Sequence, residues 1–332
     1  MRLSQIRTVT GERRVIVTGQ DNKARVLPGE ATVYALARSA IMLGSKIDAL
    51  VQTRLSASPE ETVDLAKVHA EGRVLAPIDH PDPAHLLVTG TGLTHLGSAE
   101  SRDKMHKDMA DPAKQTDSMK MFKKGVEGGK GGVGNVGVQP EWFYKGDGSV
   151  VVQPGAPFPS PEFAWDGGDE GELVGAYVVA PDGTPWRVGF ALGNEFSDHV
   201  MERENYLYLA HSKLRACSFG PELLIGDLAD HVEGRASILR DGKTLWEKTF
   251  FSGEANMCHS IANLELHHFK YPLFRRPGDI HVHYYGAATL SCLEGIKPQV
   301  GDVFELDVPS FGLPLRNGLS IVQAPYVAVR SL

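Results

Sequence analysis

Asp169-Glu170-Gly171-Glu172-Leu173-Val174-Gly175-Ala176-Tyr177-Val178-Val179-Ala180 has the composition of a strand headed by acids. It stops at Pro181-Asp182-Gly183, a turn signal. Trp186 to Leu192 reads as the return strand, followed by Gly193-Asn194-Glu195-Phe196-Ser197-Asp198-His199 and then Lys213 and Gly220-Pro221. Side chains two apart on a strand share a face, so Glu170 and Glu172 send both carboxylates to one side. Like charges this close raise each other's pKa unless a positive charge separates them. Glu195, after the hairpin, returns a third carboxylate to the same end. Glu-x-Glu alone reads as a solvated strand edge. The adjoining Gly-Asn-Glu turn and a lysine in an apolar stretch favour a site instead. Carboxylate oxygens with room left for water or substrate suit a hard cation, so Glu170, Glu172 and Glu195 are the expected ligands of Mg²⁺, with Mn²⁺ or Ca²⁺ as alternatives.

Working outward, the 332 residues suffice for a sizeable core and two domains. Hydrophobic content of 42% and charged content of 23% are those of a globular protein. A net charge of −7 argues against general nucleic-acid or membrane-surface binding. The three cysteines, Cys217, Cys258 and Cys292, form no C-x-x-C and fit reduced thiols in a cytoplasm. Neither a signal peptide nor a bilayer-spanning stretch is evident, so the expected location is cytoplasmic.

Residues 1–18 read as a hairpin turning at Thr10-Gly11-Glu12. From Glu30 to Leu55, Val33, Leu36, Ala40, Leu43, Ile47 and Leu50 make one helical stripe. Ser58-Pro59-Glu60-Glu61 reads as the start of a second helix running through Glu71. These elements make a small N-terminal α+β domain over 1–80, bounded by the proline-rich stretch from Ala76 to Pro83. Residues 81–332 form the second domain, starting with the buried strand Leu86–Gly90. Gly92-Leu93-Thr94-His95 then leads into a polar helix, where Met105, Met109, Met119 and Met121 read as packing residues.

Lys123 to Val138 reads as a glycine-dense loop or lid. Its Gly132-Val133-Gly134-Asn135-Val136-Gly137 matches the dinucleotide fingerprint in letters only: no strand precedes it, no helix follows, and Pro140 interrupts. Trp142–Lys145 reads as a short strand, residues 236–251 as a hairpin around Asp241-Gly242, and 257–271 as a helix. Two further strands are expected over 280–285 and 303–308. His281 and His283 share a strand face, and a core-lining role suits them better than ligation, since a hard cation prefers oxygen.

In this order the motifs resemble those of the fumarylacetoacetate hydrolase superfamily over residues 86–320. They are Gly92-Leu93-Thr94-His95, Pro140 with Phe143 and Lys145, Glu170-Gly171-Glu172, Asn194-Glu195, Lys213 with Gly220-Pro221, Pro277-Gly278-Asp279 and Gly301-Asp302. The resemblance implies a mixed β-roll closed around a metal, so the expected fold class is α+β, a β-roll catalytic domain with a small N-terminal domain. It also implies a homodimer and a 2-keto acid substrate. Family hydrolases carry a water-activating histidine after the first motif; here Ser98 stands nearest that place, with Glu100 close by. The family's aspartate after Asn has become Glu195, and its later arginine His199.

These departures resemble the 2-keto-3-deoxy sugar-acid (pentonate, arabinonate) dehydratase branch. The implied reaction removes water through an enolate stabilised by Mg²⁺ and gives 2-oxoglutarate semialdehyde. Glu100 and Lys213 are the expected proton-transfer pair. Three carboxylates around Mg²⁺ leave a local charge of about −1, which a cationic lysine balances, favouring Lys213 as charge stabiliser and Glu100 as base. Ser98, Arg102 and Thr289 are expected to hold substrate. The alternatives are an acylpyruvate or 2,4-diketo-acid hydrolase that releases pyruvate, and a non-catalytic sugar-acid binding protein.

Overall fold

The structure is a computed structural model and describes residues 1–97, 116–131 and 135–332. Ser98, Glu100 and Arg102, with Met105 and Met109, lie outside the described residues, as do the first three positions of the glycine fingerprint.

Two mixed sheets make the frame. The larger joins β1 (Arg2–Arg7), β2 (Arg13–Thr18), β3 (Ala24–Leu27), β4 (Val74–Leu75), β5 (Leu86–Gly90), β6 (Phe143–Asp147), β8 (Gly171–Val179), β9 (Pro185–Asn194), β10 (Ser218–Leu224) and β13 (Ile280–Tyr284). Its order is β3-β2-β1-β10-β9-β8-β13-β5-β6, with β4 beside β1. The smaller sheet runs β12 (Lys243–Ser252), β11 (Val232–Arg240), β14 (Val303–Asp307), β15 (Leu315–Val322) and β7 (Phe158–Pro161). Only β13–β5 and β15–β7 are parallel among the described pairs.

Every residue of β8 is buried, which explains its nearly uninterrupted apolar run. Val174, Ala176 and Val178 join one core with Val33 and Leu36 of the helix Val33–Leu43, while Leu173 joins the core beneath the smaller sheet with Leu306 and Phe190. Glu170 and Glu172 continue the Val174 face. The apolar layer on that face therefore ends where the carboxylates begin.

Residues 1–80 continue the larger sheet: Arg2 lies opposite Leu224, and Leu3 opposite Leu223. The expected boundary near residue 80 thus falls within a shared sheet and a shared core. The long helix expected from Glu30 to Leu55 is two, Val33–Leu43 and Ile47–Ser56. Gly44 takes a left-handed φ of 60° and closes the first, so the backbone overrides a continuous apolar stripe. The next helix is only Leu65–Ala70, with Asp64 rather than Ser58 as its cap. The expected loop 123–138 is helical in its first part, in Asp117–Gly128. A Cβ on Gly125 would meet His259 Nε2 at 2.7 Å, and one on Gly129 would meet Cys258 O at 2.5 Å. These glycines serve close packing rather than a loop. The helix expected over 257–271 shortens to Ile261–Phe269, capped by Ser260.

Candidate metal centre and its lysines

Hairpin register builds the centre. Gly171 pairs with Asn194 and Glu172 with Gly193. One step further out, Glu195 N–H donates to Glu170 O at 2.9 Å, and Glu170 N–H donates to Asn194 Oδ1 at 3.2 Å. The acids that flank the paired ends are thereby brought face to face. One carboxylate oxygen from each of Glu170, Glu172 and Glu195 lies within 4.8 Å of the others, and all three side chains are buried. Among the described residues this is the one such cluster. Its donors are hard oxygens, and burial of three acids in one place calls for added positive charge, so the group fits a divalent cation.

Two lysines supply part of that charge. Lys213, at the end of the helix Leu209–Lys213, donates from Nζ to Glu170 Oε1 at 2.5 Å, Glu195 Oε2 at 2.6 Å and Ser197 Oγ at 3.2 Å. Lys145, on β6, donates to Glu195 Oε1 at 2.6 Å and to the carbonyls of Phe196 and Lys213 at 2.7 and 3.0 Å. Both lysines are buried. Lys213 also sits over the Phe143 ring, 4.8 Å from its centroid.

The carboxylates are not equivalent. Burial alone would raise the Glu170 carboxyl, but the Lys213 ammonium and His199 hold it well below the usual carboxylate range. Burial and the facing charges of Glu195 and Glu170 push Glu172 well above that range. Its Oε2 accepts the Gly286 N–H at 2.6 Å, and no lysine or histidine bonds to it among the described residues. Burial also raises Glu195, and its two lysines offset this only in part. For Lys213 burial works downward, yet Glu170 and Glu195 carry it well above its ordinary value. It is therefore a firmly charged ammonium.

His199 stands behind Glu170, with Nε2 3.2 Å from Glu170 Oε1 and Nδ1 3.8 Å from Asp166 Oδ2. Burial would lower its pKa, but Cys292, Asp166 and Glu170 together raise it well above the usual value. The segment after β13 runs beside the carboxylates: Gly286 bonds Glu172, and the Ser291 hydroxyl donates to Asp169 Oδ1. Thr289 lies between them, its Oγ1 buried and without a partner among the described residues.

The structure thus gathers Glu170, Glu172, Glu195 and Lys213, and sets Thr289 on an adjoining segment; Ser98, Glu100 and Arg102 are not described. Lys145 was quoted in the Pro140–Lys145 motif without a site role. The signal for it is parity, since Lys145 shares the buried face of β6 with Phe143 while Tyr144 is exposed. His281 and His283 are buried away from the carboxylates, against His268 and Thr89 respectively (2.9 and 2.8 Å).

No protein-family model matches the chain, and no curated protein matches it by sequence. Solved structures do. A 2-keto-3-deoxy-D-arabinonate dehydratase complexed with magnesium and 2,5-dioxopentanoate aligns with a TM-score of 0.69 at 17% identity, over 98% of this chain and 100% of that one. The 5-carboxymethyl-2-hydroxymuconate delta-isomerase of Mycobacterium smegmatis aligns with a TM-score of 0.55 at 17% identity, over 98% and 100%. The 2-hydroxyhepta-2,4-diene-1,7-dioate isomerase of Mycobacterium marinum gives 0.56 at 17%, over 97% and 98%. The chain has the fold that these enzymes share.

Proposed function

We propose that the protein is a magnesium-dependent hydro-lyase that removes water from a 2-keto-3-deoxy pentonate such as 2-keto-3-deoxy-arabinonate. The observation that carries this reading is the Lys213 ammonium bridging two of three buried carboxylates at 2.5 and 2.6 Å. Glu170, Glu172 and Glu195 would hold the divalent cation, which when bound would supply Lewis-acid polarisation of the 2-oxo acid. Lys213 keeps a fixed positive charge beside the oxygens on which negative charge develops. Glu100 takes the proton from carbon 3, and the hydroxyl at carbon 4 leaves as water with one proton. Transfer of a proton from carbon 5 to carbon 3 then moves the double bond to carbons 4 and 5. The resulting enol takes a proton at carbon 4 and loses its hydroxyl proton to give the aldehyde of 2-oxoglutarate semialdehyde, with no change in oxidation level overall. Ser98, Arg102 and Thr289 hold the hydroxyl and carboxylate groups of the substrate.

Two further observations support the eliminative reading. Ser98 stands where family hydrolases carry a water-activating histidine, so hydrolysis lacks its base. The magnesium-containing dehydratase matches with a TM-score of 0.69, against 0.55 and 0.56 for the two isomerases. The test is incubation of the protein with 2-keto-3-deoxy-arabinonate and Mg²⁺, followed by mass spectrometry. Loss of one water is expected, with no conversion by Glu172→Gln. Release of pyruvate from a 2,4-diketo acid, with no dehydration, would overturn the proposal in favour of a hydrolase.

A further inference from the structure

Beyond the carboxylate centre, the chain presents two apolar surfaces side by side. One is a groove of about 420 Å³ lined by Phe163, Trp165, Met201, Tyr208, Leu214 and Arg215 among others. Phe163 is 59% exposed and Trp165 53%, although both are large aromatic rings. The other is the segment that follows β15. Tyr326, Val327 and Val329 on it are 93%, 81% and 97% exposed, touching almost nothing on their own chain. Apolar side chains so exposed on a defined segment mark a contact surface.

The two surfaces start from the same point. Glu162 N–H donates to Val322 O at 2.9 Å, and Ala324 N–H donates to Glu162 Oε1 at 3.1 Å. The arm is thus pinned one residue from Phe163, at the rim of the groove. Residues 325–332 then extend roughly 25 Å if fully stretched. Pro325 and the β-branched Val327 and Val329 favour an extended arm that loses little freedom on docking.

We infer that the groove receives residues 325–332 of a second copy of this chain, each copy inserting its arm into the other's groove. One chain carries both halves of the contact, so a two-fold axis beside Glu162 covers both grooves and both arms at once. Contact here also bears on the carboxylate centre. Arg215 of the groove donates to Asp198 Oδ2 at 3.0 Å, and Trp165 N–H donates to the same oxygen at 2.9 Å. Asp198 caps the helix His199–Glu204, whose His199 backs Glu170. The docked arm therefore braces the wall behind one of the candidate ligands.

Sedimentation equilibrium of the full chain tests the inference independently of any turnover. An arm variant (Val327→Asp with Val329→Asp) and a groove variant (Phe163→Glu) change side chains that are largely exposed, and unchanged far-ultraviolet circular dichroism spectra verify their folds. The wild type is expected to dimerise, and each variant to do so at least about tenfold more weakly. Mixing the two variants restores association partway, because the heterodimer keeps one intact arm–groove contact and neither variant homodimer keeps any. A monomeric wild type would leave the groove to some other protein and overturn the inference. So would association that is indifferent to both changes, or variants that weaken it without recovery on mixing.

Discussion

Lys145 donates a hydrogen bond from its ammonium to the backbone carbonyl of Lys213, 3.0 Å away, so one buried lysine fixes the chain that carries the other. The same ammonium bonds Glu195 Oε1 and Phe196 O, which ties β6, the turn after β9 and the end of the Lys213 helix to one point. Lys145→Met would leave Glu195 buried with less compensation, take the ammonium donor from Phe196 O, and leave Lys213 O with the Arg215 N–H alone. Removing one partner of a buried pair costs about 3–5 kcal/mol. The expected outcome is an unfolding free energy lowered by that amount, read as a lower urea midpoint at unchanged slope. An unaltered midpoint would show that water replaces the ammonium without loss.

Gly286 holds Glu172 through its N–H, and it does so at φ +103°, in the region that favours glycine. A Cβ there would also lie 2.1 Å from Thr94 Oγ1. Gly242, in the hairpin turn, has φ +73° with nothing within 4 Å of its Cβ position. Gly242→Ala therefore costs conformational strain alone, about 1–2 kcal/mol. Gly286→Ala adds a clash and misaims the N–H, so it loses more stability and also weakens Mg²⁺ binding in titration calorimetry. Equal losses for the two variants, with Mg²⁺ affinity intact, would remove Gly286 from the centre.

Burial holds His281 and His283 at about 3 and His95 at about 4, and pushes His268 well below its ordinary value. These imidazoles are neutral in the folded chain but take up protons near pH 6.5 when it unfolds. Their contribution is present above pH 6.5 and is lost as pH falls toward the folded values. Each is worth about 1.4 kcal/mol per pH unit within that window. His199, raised well above its ordinary value, acts in the opposite sense: its contribution is complete below pH 6.5 and fades as pH rises. Below pH 6.5 the His199 contribution is constant, and the raised carboxyls of Asp169, Glu172 and Glu195 act against the imidazoles there. With His69 and His259 also lowered, six imidazoles outnumber those three carboxyls. Unfolding free energy measured by urea titration is expected to fall steeply from pH 6.5 to pH 5, and a flat profile would contradict the neutral imidazoles.

The carboxylate centre was legible because it is local. A period of two puts Glu170 and Glu172 on one face, and a tight hairpin returns Glu195 beside them, so strand geometry alone carries the grouping. Lys145 was harder to read, since a strand lysine is ordinarily solvated. Only the layer above it, which includes Lys213 and Phe196, makes it an interior group. The pairing of Arg2 with Leu224 joins segments far apart in the chain and leaves no periodic trace in either. At Gly44 the apolar stripe was a true signal, but one left-handed residue outweighed it. The glycines at 125 and 129 looked like loop residues because composition cannot separate freedom from tight packing; their neighbours Cys258 and His259 decide that.

Lys213 and a divalent cation draw on the same oxygens, because its ammonium already holds Glu170 Oε1 and Glu195 Oε2. Ion binding must therefore reorganise those bonds or share the oxygens. Lys213→Met removes the competitor and leaves two buried carboxylates without it, which lowers ion-free stability by about 3–5 kcal/mol. An ion that binds only the folded chain returns stability by mass action, about 2.7 kcal/mol at a hundredfold excess over its dissociation constant. The variant gains more than the wild type, since its carboxylates have lost their other cation. Thermal unfolding with and without Mg²⁺ is expected to give a larger upward shift for Lys213→Met than for wild type, while the proposed dehydration is abolished. Equal shifts would mean that lysine and ion occupy separate parts of the centre, and retained turnover would remove Lys213 from the chemistry.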